Sequence, residues 1–204
     1  MAREYEYTED YVTWNVEQWK KWFAHLIGKP GVKALEVGTY EGRSAVWFLE
    51  NILTGPGASL VTCDIGCDAA KTARAKANLS HFSNCRMDWR GSQDVLPDLH
   101  ASADRYHFAY VDGSHDAPDV LRDMCAVWEL LLPGGIMLCD DWQWTNRDWP
   151  QPPREAIEAW LRIYVRKIRG YEVNSPHRWQ IAIWKPGELP SIGAPPGTWA
   201  AETA

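Results

Sequence analysis

Three aspartates in the second half of the chain stand where two short apolar runs end. Asp112 follows the run that begins at Tyr106, and Asp140 and Asp141 follow the run that begins at Ile136. If these runs are neighbouring strands about 5 Å apart, the three carboxylates meet at one edge of the sheet. Crowded carboxylates repel each other, and a divalent cation such as Mg²⁺ binds oxygen ligands of this kind. We therefore predict that these three residues form a Mg²⁺ site.

A histidine adds acid–base chemistry to this predicted site. His115 lies three residues after Asp112, in the sequence Asp-Gly-Ser-His, and overhangs the same sheet edge. A neutral imidazole, with an ordinary pKa near ~6.5, can take a proton from a hydroxyl group. We predict His115 and Asp112 as the catalytic residues. Structural roles stay open at this point, because aspartates also cap helices and favour turns, and a single histidine is often an ordinary surface residue.

A glycine loop near the start of the chain is typical of a ligand site. The segment from Lys33 to Ser44 reads as a strand, a loop with Gly38 and Gly42, and a helix start that presents free N–H groups. The loop lacks the second close glycine of a dinucleotide-binding GxGxxG motif. Glu36 in the strand end suits a ligand that carries a cation. A glycine turn between strand and helix also occurs for structural reasons alone.

Two further strand ends carry polar groups that suit a nucleoside. Asp64 follows the next apolar run, where an acid can accept both hydroxyls of a ribose. Ser92 and Gln93 can donate and accept hydrogen bonds, and so can contact the edge of an adenine. The alternatives are an ordinary turn aspartate at position 64 and a helix cap at Ser92.

The elements that must position these residues alternate along the chain as strands and amphipathic helices. This alternation predicts a doubly wound α/β fold with a mostly parallel, seven-stranded, Rossmann-like sheet, in which a C-terminal hairpin supplies one antiparallel strand. Ligands bind such sheets beyond the carboxyl ends of the strands, where the strand order reverses. The strands are expected at Lys33–Val37, Ser59–Cys63, Cys85–Met87, Tyr106–Val111, Ile136–Cys139, Tyr171–Asn174 and Trp179–Trp184.

Charge and composition favour a small-molecule partner. The 204 residues carry a formal net charge of −6 at pH 7, which does not attract nucleic acid or an anionic membrane surface. No apolar run reaches the ~18 to 20 residues of a membrane span, and no signal peptide is evident. Five scattered cysteines fit reduced thiols. We predict a cytoplasmic protein with a small-molecule acceptor, no nucleic-acid partner and no membrane partner.

Taken together, the motifs resemble those of class I S-adenosylmethionine-dependent methyltransferases. The likeness is closest to the small metal-dependent O-methyltransferases, of the catechol and caffeoyl-coenzyme A type and their sugar- and natural-product-modifying relatives. It rests on Asp64 and on residues 36–44, 91–94, 112–115 and 132–141. The resemblance implies an S-adenosylmethionine-binding domain over residues 31–185, preceded by an N-terminal helical cap (1–30) and followed by a Pro/Gly-rich tail (186–204).

The resemblance also implies roles for individual residues. The predicted cofactor site comprises Glu36, Gly38, Thr39, Gly42, Ser44, Asp64, Ser92, Gln93 and Asp112. The predicted metal ligands are Asp112, Asp140 and Asp141. The catechol enzymes have an asparagine as the third ligand and a lysine at the position of His115. The aspartate and histidine found here match the sugar-modifying relatives, which argues against a catechol acceptor.

The sequence thus predicts a metal-dependent O-methyltransferase that acts on a sugar, polyol or phenolic natural product. Two alternatives stay open: a metal-independent methyltransferase, and a protein that binds S-adenosylmethionine without catalysis. A nucleotide-dependent oxidoreductase is disfavoured by the missing GxGxxG motif. Trp142, Trp144 and Trp149 could wall the acceptor site or simply pack in the core. The aromatic N-terminal segment offers a face for a homodimer.

Overall fold

The computed structural model describes residues 4–66, 68–144 and 151–190. Its seven strands are β1 Lys33–Val37, β2 Ser59–Cys63, β3 Cys85–Asp88, β4 Tyr106–Val111, β5 Leu131–Cys139, β6 Gly170–Val173 and β7 Ile181–Trp184. Its α-helices are α1 Val16–Trp22, α2 Arg43–Asn51, α3 Ala69–Leu79, α4 Ser92–Ala101, α5 Ala117–Leu130 and α6 Pro153–Tyr164. None of the helices in these ranges is long and apolar enough to cross a membrane.

The strands form one sheet in the order β3-β2-β1-β4-β5-β7-β6. β1 pairs in parallel with β2 on one side and with β4 on the other, so the strand order reverses between β1 and β4. β7 is antiparallel to both of its neighbours, β5 and β6. The predicted doubly wound, mostly parallel sheet with one antiparallel strand is therefore confirmed. The reversal between β1 and β4 places the glycine loop next to Asp112.

Helices cover both faces of the sheet because each buries one apolar stripe against it. On one face α4, α5 and α6 pack together, and the rings of Trp128 and Trp160 lie 4.9 Å apart. On the other face α1 and α2 pack against β4, where the rings of Phe23, Phe48 and Phe108 contact one another, with ring centres 4.5 to 5.9 Å apart. In these contacts the two tryptophans, Trp128 and Trp160, are core residues.

The N-terminal helix is shorter than the sequence predicts. Apolar residues at helical spacing predict a helix that continues to Gly28, whereas α1 ends at Trp22. Phe23 and Leu26 are nevertheless fully buried, because successive turns keep them on the same face. The pair Asn15 and Gln18 predicts a helix cap at Asn15, but the Asn15 side chain makes no cap hydrogen bond; it donates one to the carbonyl of Tyr11 and accepts one from the amide of Asn174.

Strand β5 begins earlier than predicted. The segment Pro133–Gly135 is expected to end the preceding helix, yet β5 starts at Leu131, directly after α5. The pairing of β4 with β5 shifts register between Tyr106 and Phe108, beside this segment. Gly134 adopts a positive φ of +78°, which suits such an irregularity in a strand.

The described cysteines are unpaired, as predicted. Cys63, Cys85, Cys125 and Cys139 are free thiols, and Cys67 lies outside the described residues. Burial raises the pKa of Cys63 and that of Cys85 to about 12. Because the thiolate is the reactive form, these two cysteines are poor nucleophiles.

Candidate active site

The glycine loop turns sharply at the end of β1. Gly38 and Gly42 adopt φ angles of +95° and +79°, and Tyr40 between them also has a positive φ. A Cβ on Gly38 would lie 1.9 Å from the carbonyl oxygen of Asp112, and one on Gly42 would lie 3.2 Å from Cγ of Leu79. Gly38 therefore lets the loop lie close to the end of β4, and Gly42 lets it lie close to α3.

Glu36 lies fully buried beneath this loop. Its carboxylate accepts hydrogen bonds from the hydroxyls of Ser44 and Thr62, both at 2.6 Å. Thr39 completes the cluster, with its hydroxyl oxygen 2.6 Å from that of Thr62. Burial raises the pKa of Glu36 to about 7, although the two hydrogen bonds oppose the rise. Glu36, Thr39 and Ser44 were predicted as cofactor residues, and in the structure their side chains join Thr62 to brace the loop from below.

Asp64 lies at the end of β2, beside the same loop. Its Oδ2 accepts hydrogen bonds from the backbone N–H groups of Thr39 and Tyr40, at 3.0 and 2.9 Å. Its Oδ1 accepts one from the N–H of Gly66 at 2.7 Å. These bonds use three of the roughly four acceptor positions of a carboxylate. Asp64 thus orients the loop backbone and lies where a ribose-binding acid is predicted.

Ser92 and Gln93 begin α4, where the adenine edge is predicted. Gly91, and not Ser92, is the N-cap residue. The Ser92 hydroxyl donates a 2.7 Å hydrogen bond to the buried carboxylate of Asp123, and burial raises the pKa of Asp123. The Gln93 amide folds back over Gly91, where an added Cβ would lie 2.3 Å from its Nε2. Asp123 is a partner that the sequence analysis missed.

Asp140 is held by three hydrogen-bond donors at the end of β5. Its Oδ2 accepts hydrogen bonds from the hydroxyl of Tyr110 and from Nε2 of Gln180, the latter at 2.8 Å. Its Oδ1 accepts one from the backbone N–H of Asp141 at 2.7 Å. Neither Tyr110 nor Gln180 was foreseen from the sequence.

The predicted acids influence one another electrostatically, as expected of side chains at one sheet edge. Burial, reinforced by the charges of Asp140 and Asp141, raises the pKa of Asp112 well above its ordinary value. Burial and the charge of Asp141 raise the pKa of Asp140 to about 6. A divalent cation would offset this repulsion, so the chemistry of the donors fits a metal.

The three predicted ligands do not form a ready-made metal site. Across residues 4–66, 68–144 and 151–190, no group of three or more His, Cys, Asp or Glu side chains has such an arrangement. Asp140 already accepts three hydrogen bonds from protein donors, and Asp141, with a φ of +62°, directs its carboxylate towards His115. Metal binding therefore stays a prediction.

His115 pairs with Asp141 and lies against the ring of a tryptophan. Its Nε2 lies 3.1 Å from Oδ2 of Asp141, and its ring centre lies 4.7 Å from that of Trp144. The hydrogen bond to Asp141 raises the pKa of His115, while burial opposes the rise. The histidine at this sheet edge thus has an acidic partner, which is the arrangement of a positioned base.

The three tryptophans predicted near the site have different placements. Trp142 is buried, its backbone N–H donates to the carbonyl of Trp179, and the guanidinium of Arg154 lies 5.0 Å from its ring centre. Trp144 lies beside His115. Trp149 and residues 191–204 of the predicted tail lie outside the described residues. Of the described pair, Trp142 packs in the core and Trp144 borders the site.

An N-terminal segment also contacts the glycine loop. Thr8 donates hydrogen bonds from its N–H and its hydroxyl to the buried carboxylate of Glu41, at 2.7 and 2.8 Å. Asp10 accepts a 2.7 Å hydrogen bond from Arg43. The sequence analysis missed these contacts, although an acid inside a loop that becomes buried requires a donor from elsewhere in the chain.

Comparison with known proteins agrees with this geometry. A family described as a methyltransferase domain matches residues 35–142, from β1 to just beyond Asp141. The chain belongs to this family. A curated relative, the uncharacterized protein R132 of Acanthamoeba polyphaga mimivirus, is 26% identical over 126 residues. That match covers 59% of this chain and 56% of the relative, so it spans little more than half of the relative's length.

Solved structures of methyltransferases share the fold. The O-methyltransferase TomG of Streptomyces achromogenes, in complex with SAM, has a TM-score of 0.63 at 16% identity, over 81% of this chain and 76% of its own. The O-methyltransferase of Bacillus cereus, in complex with SAH, has a TM-score of 0.65 at 14% identity, over 88% and 84%. MycE, in complex with Mg, SAH and mycinamycin VI, has a TM-score of 0.64 at 18% identity, over 90% and 53%. The expected Rossmann-like methyltransferase fold is confirmed.

Proposed function

We propose that the protein is an S-adenosylmethionine-dependent O-methyltransferase that methylates a hydroxyl of a sugar, polyol or phenolic natural product with the help of a divalent cation. One observation carries the proposal: Gly38 of the glycine loop lies directly against the backbone of Asp112, beside the acidic cluster. A methyl donor held by the loop and an acceptor held by the acids would therefore be neighbours. The family match and the ligands named for TomG, the Bacillus cereus enzyme and MycE support this function.

The loop residues fit the proposed cofactor. The backbone from Gly38 to Gly42 would hold its methionine part, Asp64 its ribose, and the start of α4 its adenine. When bound, S-adenosylmethionine supplies a methyl group on a positively charged sulfur. The acids close to the loop, the buried Glu36 and the half-buried Asp112, favour a cationic ligand in this part of the site.

The acids would hold the proposed cation through Asp112, Asp140 and Asp141. When bound, Mg²⁺ or a similar ion withdraws electron density from an acceptor hydroxyl and lowers its pKa. The raised pKa values of Asp112 and Asp140 support this assignment, because both half-buried carboxyls lose solvation and lie in the negative field of neighbouring acids. Mg is also named with MycE.

The chain's own residues would accept the proton of the acceptor hydroxyl and exclude water from the site. The described contact of His115 to Asp141 uses Nε2, so Nδ1 is the nitrogen that would accept the proton of the acceptor hydroxyl. Asp141 would then stabilise the charged imidazole and keep its orientation. Trp144, whose ring lies against that of His115, would shield the site from water, which favours a reaction that neutralises opposite charges.

A second candidate is a methyltransferase that needs no metal. The observation that favours it is the pairing of Asp141 with His115, which gives the base an acidic partner and directs one predicted ligand away from the metal set. In this candidate the His115–Asp141 pair would deprotonate the acceptor hydroxyl without the help of a metal ion.

Calorimetry and a turnover assay test both candidates. We expect binding of S-adenosylmethionine and none of NAD; tight NAD binding without S-adenosylmethionine binding would refute the proposed class. Labelled cofactor and a panel of glycosides, polyols and phenols would then reveal the acceptor. Turnover abolished by EDTA and restored by Mg²⁺ supports the metal-dependent enzyme, and full turnover in EDTA supports the second candidate.

A further inference from the structure

We propose that Gln180 is a positioning residue for Asp140, and that Trp19 of α1 fixes Gln180 in that role. The inference rests on the proposed function, because it concerns how one predicted metal ligand is oriented. Gln180 directly precedes β7 and Trp19 lies in α1, so both residues are far from the acids in sequence.

The hydrogen bonds on Asp140 are distributed unevenly between its two oxygens. Oδ2 accepts two, from the hydroxyl of Tyr110 and from Nε2 of Gln180, whereas Oδ1 accepts one, from the N–H of Asp141. A carboxylate has about four acceptor positions, so one remains, and it is on Oδ1. The two donors on Oδ2 therefore prevent rotation of the carboxylate and present Oδ1 to a ligand.

The orientation of the Gln180 amide is set by Trp19. The indole N–H of Trp19 donates a 2.6 Å hydrogen bond to Oε1 of Gln180. An indole N–H can only donate, so the amide oxygen must face it and the amide nitrogen must face Asp140. A flipped amide would point its oxygen at the carboxylate and its nitrogen at the indole N–H. Nε2 also lies 3.1 Å from the hydroxyl oxygen of Tyr110, which completes the set of partners.

A second connection ties β7 to the start of α1. The side chain of Asn174 accepts a 2.9 Å hydrogen bond from the backbone N–H of Gln180 and donates one of 2.9 Å to Asn15. Trp19, Gln180, Asn174 and Asn15 are all at most 2% exposed. Buried hydrogen bonds of this kind resist rearrangement, because breaking one leaves an unsatisfied polar group. The amide of Gln180 is thus fixed both through its side chain and through its backbone.

The test measures Mn²⁺ affinity of the full chain by calorimetry, with and without the Gln180 amide. Gln180→Met keeps the approximate length of the side chain but removes the hydrogen bonds to Asp140 and Trp19. We expect Mn²⁺ affinity to fall by about 10-fold to 100-fold, the usual effect of losing a partner that orients a metal ligand. S-adenosylmethionine affinity, measured in the same way, is expected to change little.

Gln18→Met is the matched control. Gln18 also connects α1 to the C-terminal hairpin, through a 3.1 Å hydrogen bond to Glu172, but it has no contact with Asp140. Its substitution is expected to leave Mn²⁺ affinity unchanged. Trp19→Phe, which keeps an aromatic ring and removes the N–H, is expected to weaken Mn²⁺ binding less than Gln180→Met does.

The outcomes separate this inference from the proposed function. Wild-type Mn²⁺ affinity in a folded Gln180→Met variant would overturn the positioning role and leave the proposed function intact. If Gln180→Met does not fold, unchanged Mn²⁺ affinity in Trp19→Phe overturns the inference in its place. A wild-type protein that binds S-adenosylmethionine but no Mn²⁺ would overturn the inference together with the metal-dependent function.

Discussion

Replacing Gly38 with alanine tests whether the two halves of the site are packed against each other as the structure shows. The new Cβ would lie 1.9 Å from the carbonyl oxygen of Asp112 and 2.8 Å from Cα of Gly113, both backbone atoms of the neighbouring strand end. A left-handed conformation costs an alanine about 1–2 kcal/mol, and inserting a methyl group into a packed region costs about 1–3 kcal/mol. We therefore expect Gly38→Ala to lower the free energy of unfolding by about 2–5 kcal/mol, and to weaken S-adenosylmethionine binding.

Substitutions at two other glycines separate the cost of the left-handed backbone conformation from the cost of inserting a methyl group. Gly31 has a φ of +69° but open space where a Cβ would lie, so Gly31→Ala should cost only the ~1–2 kcal/mol of backbone strain. Gly170 has neither a positive φ nor a neighbour within 4 Å, so Gly170→Ala should change stability by less than about 1 kcal/mol. Urea unfolding followed by tryptophan fluorescence measures all three. The reasoning fails if Gly38→Ala costs no more than Gly31→Ala.

Three further predictions concern single side chains of the site. Burial raises the pKa of Glu36 from 4.5 to about 7, so its protonated form stabilises the fold below pH 4.5 and this stability is lost as the pH rises through 7. Urea unfolding should show that Glu36→Gln becomes more stable relative to wild type as the pH rises from 4.5 to 7, by at most about 3 kcal/mol. A difference in stability between the two proteins that does not change with pH would contradict the raised pKa of Glu36. His115→Ala should lower kcat by about 10²-fold to 10⁴-fold in a methyl-transfer assay without changing S-adenosylmethionine affinity, and a full rate would exclude it as the base. Asp112→Ala and Asp140→Ala should each abolish turnover, and wild type should lose it in EDTA; activity in either variant would remove that residue from the metal set.

The fold could be predicted where periodicity and end signals agree. The alanine-rich segment after β2 predicts a helix from about Ala69 to Leu79, and α3 has these bounds, because the Asp68 side chain caps its first turn by accepting hydrogen bonds from the N–H groups of Ala70 and Lys71. The end of α1 was mispredicted because burial of Phe23 and Leu26 gives the same apolar spacing in turns as in a helix. Apolar spacing reports which side chains are buried, and it does not report whether the backbone between them stays helical.

The residues of the site could be predicted where they stand at the ends of strands. Asp64, Asp112 and Asp140 could be placed at one sheet edge because parallel strands end there together. Their partners could not, because Tyr110 reaches Asp140 from β4 and Gln180 reaches it from the position before β7, 30 and 40 residues away in sequence. Such contacts depend on the register of β4, β5 and β7, and one residue of slip would turn each side chain to the opposite face.

The ends of β1, β4 and β5 are connected by backbone hydrogen bonds. These bonds couple the glycine loop, proposed to hold the methyl donor, to Asp112 and Asp140, proposed to hold the acceptor. The N–H of Asp112 donates a 2.8 Å hydrogen bond to the carbonyl of Val37, one residue before Gly38. The N–H of Asp140 donates one of 3.0 Å to the carbonyl of Val111, one residue before Asp112. A shift of the glycine loop would therefore move Asp112 and then Asp140 through adjacent backbone bonds. Because a misplacement of about 1 Å can cost 10²-fold in rate, these connected strand ends would keep the proposed methyl donor and acceptor in position relative to each other.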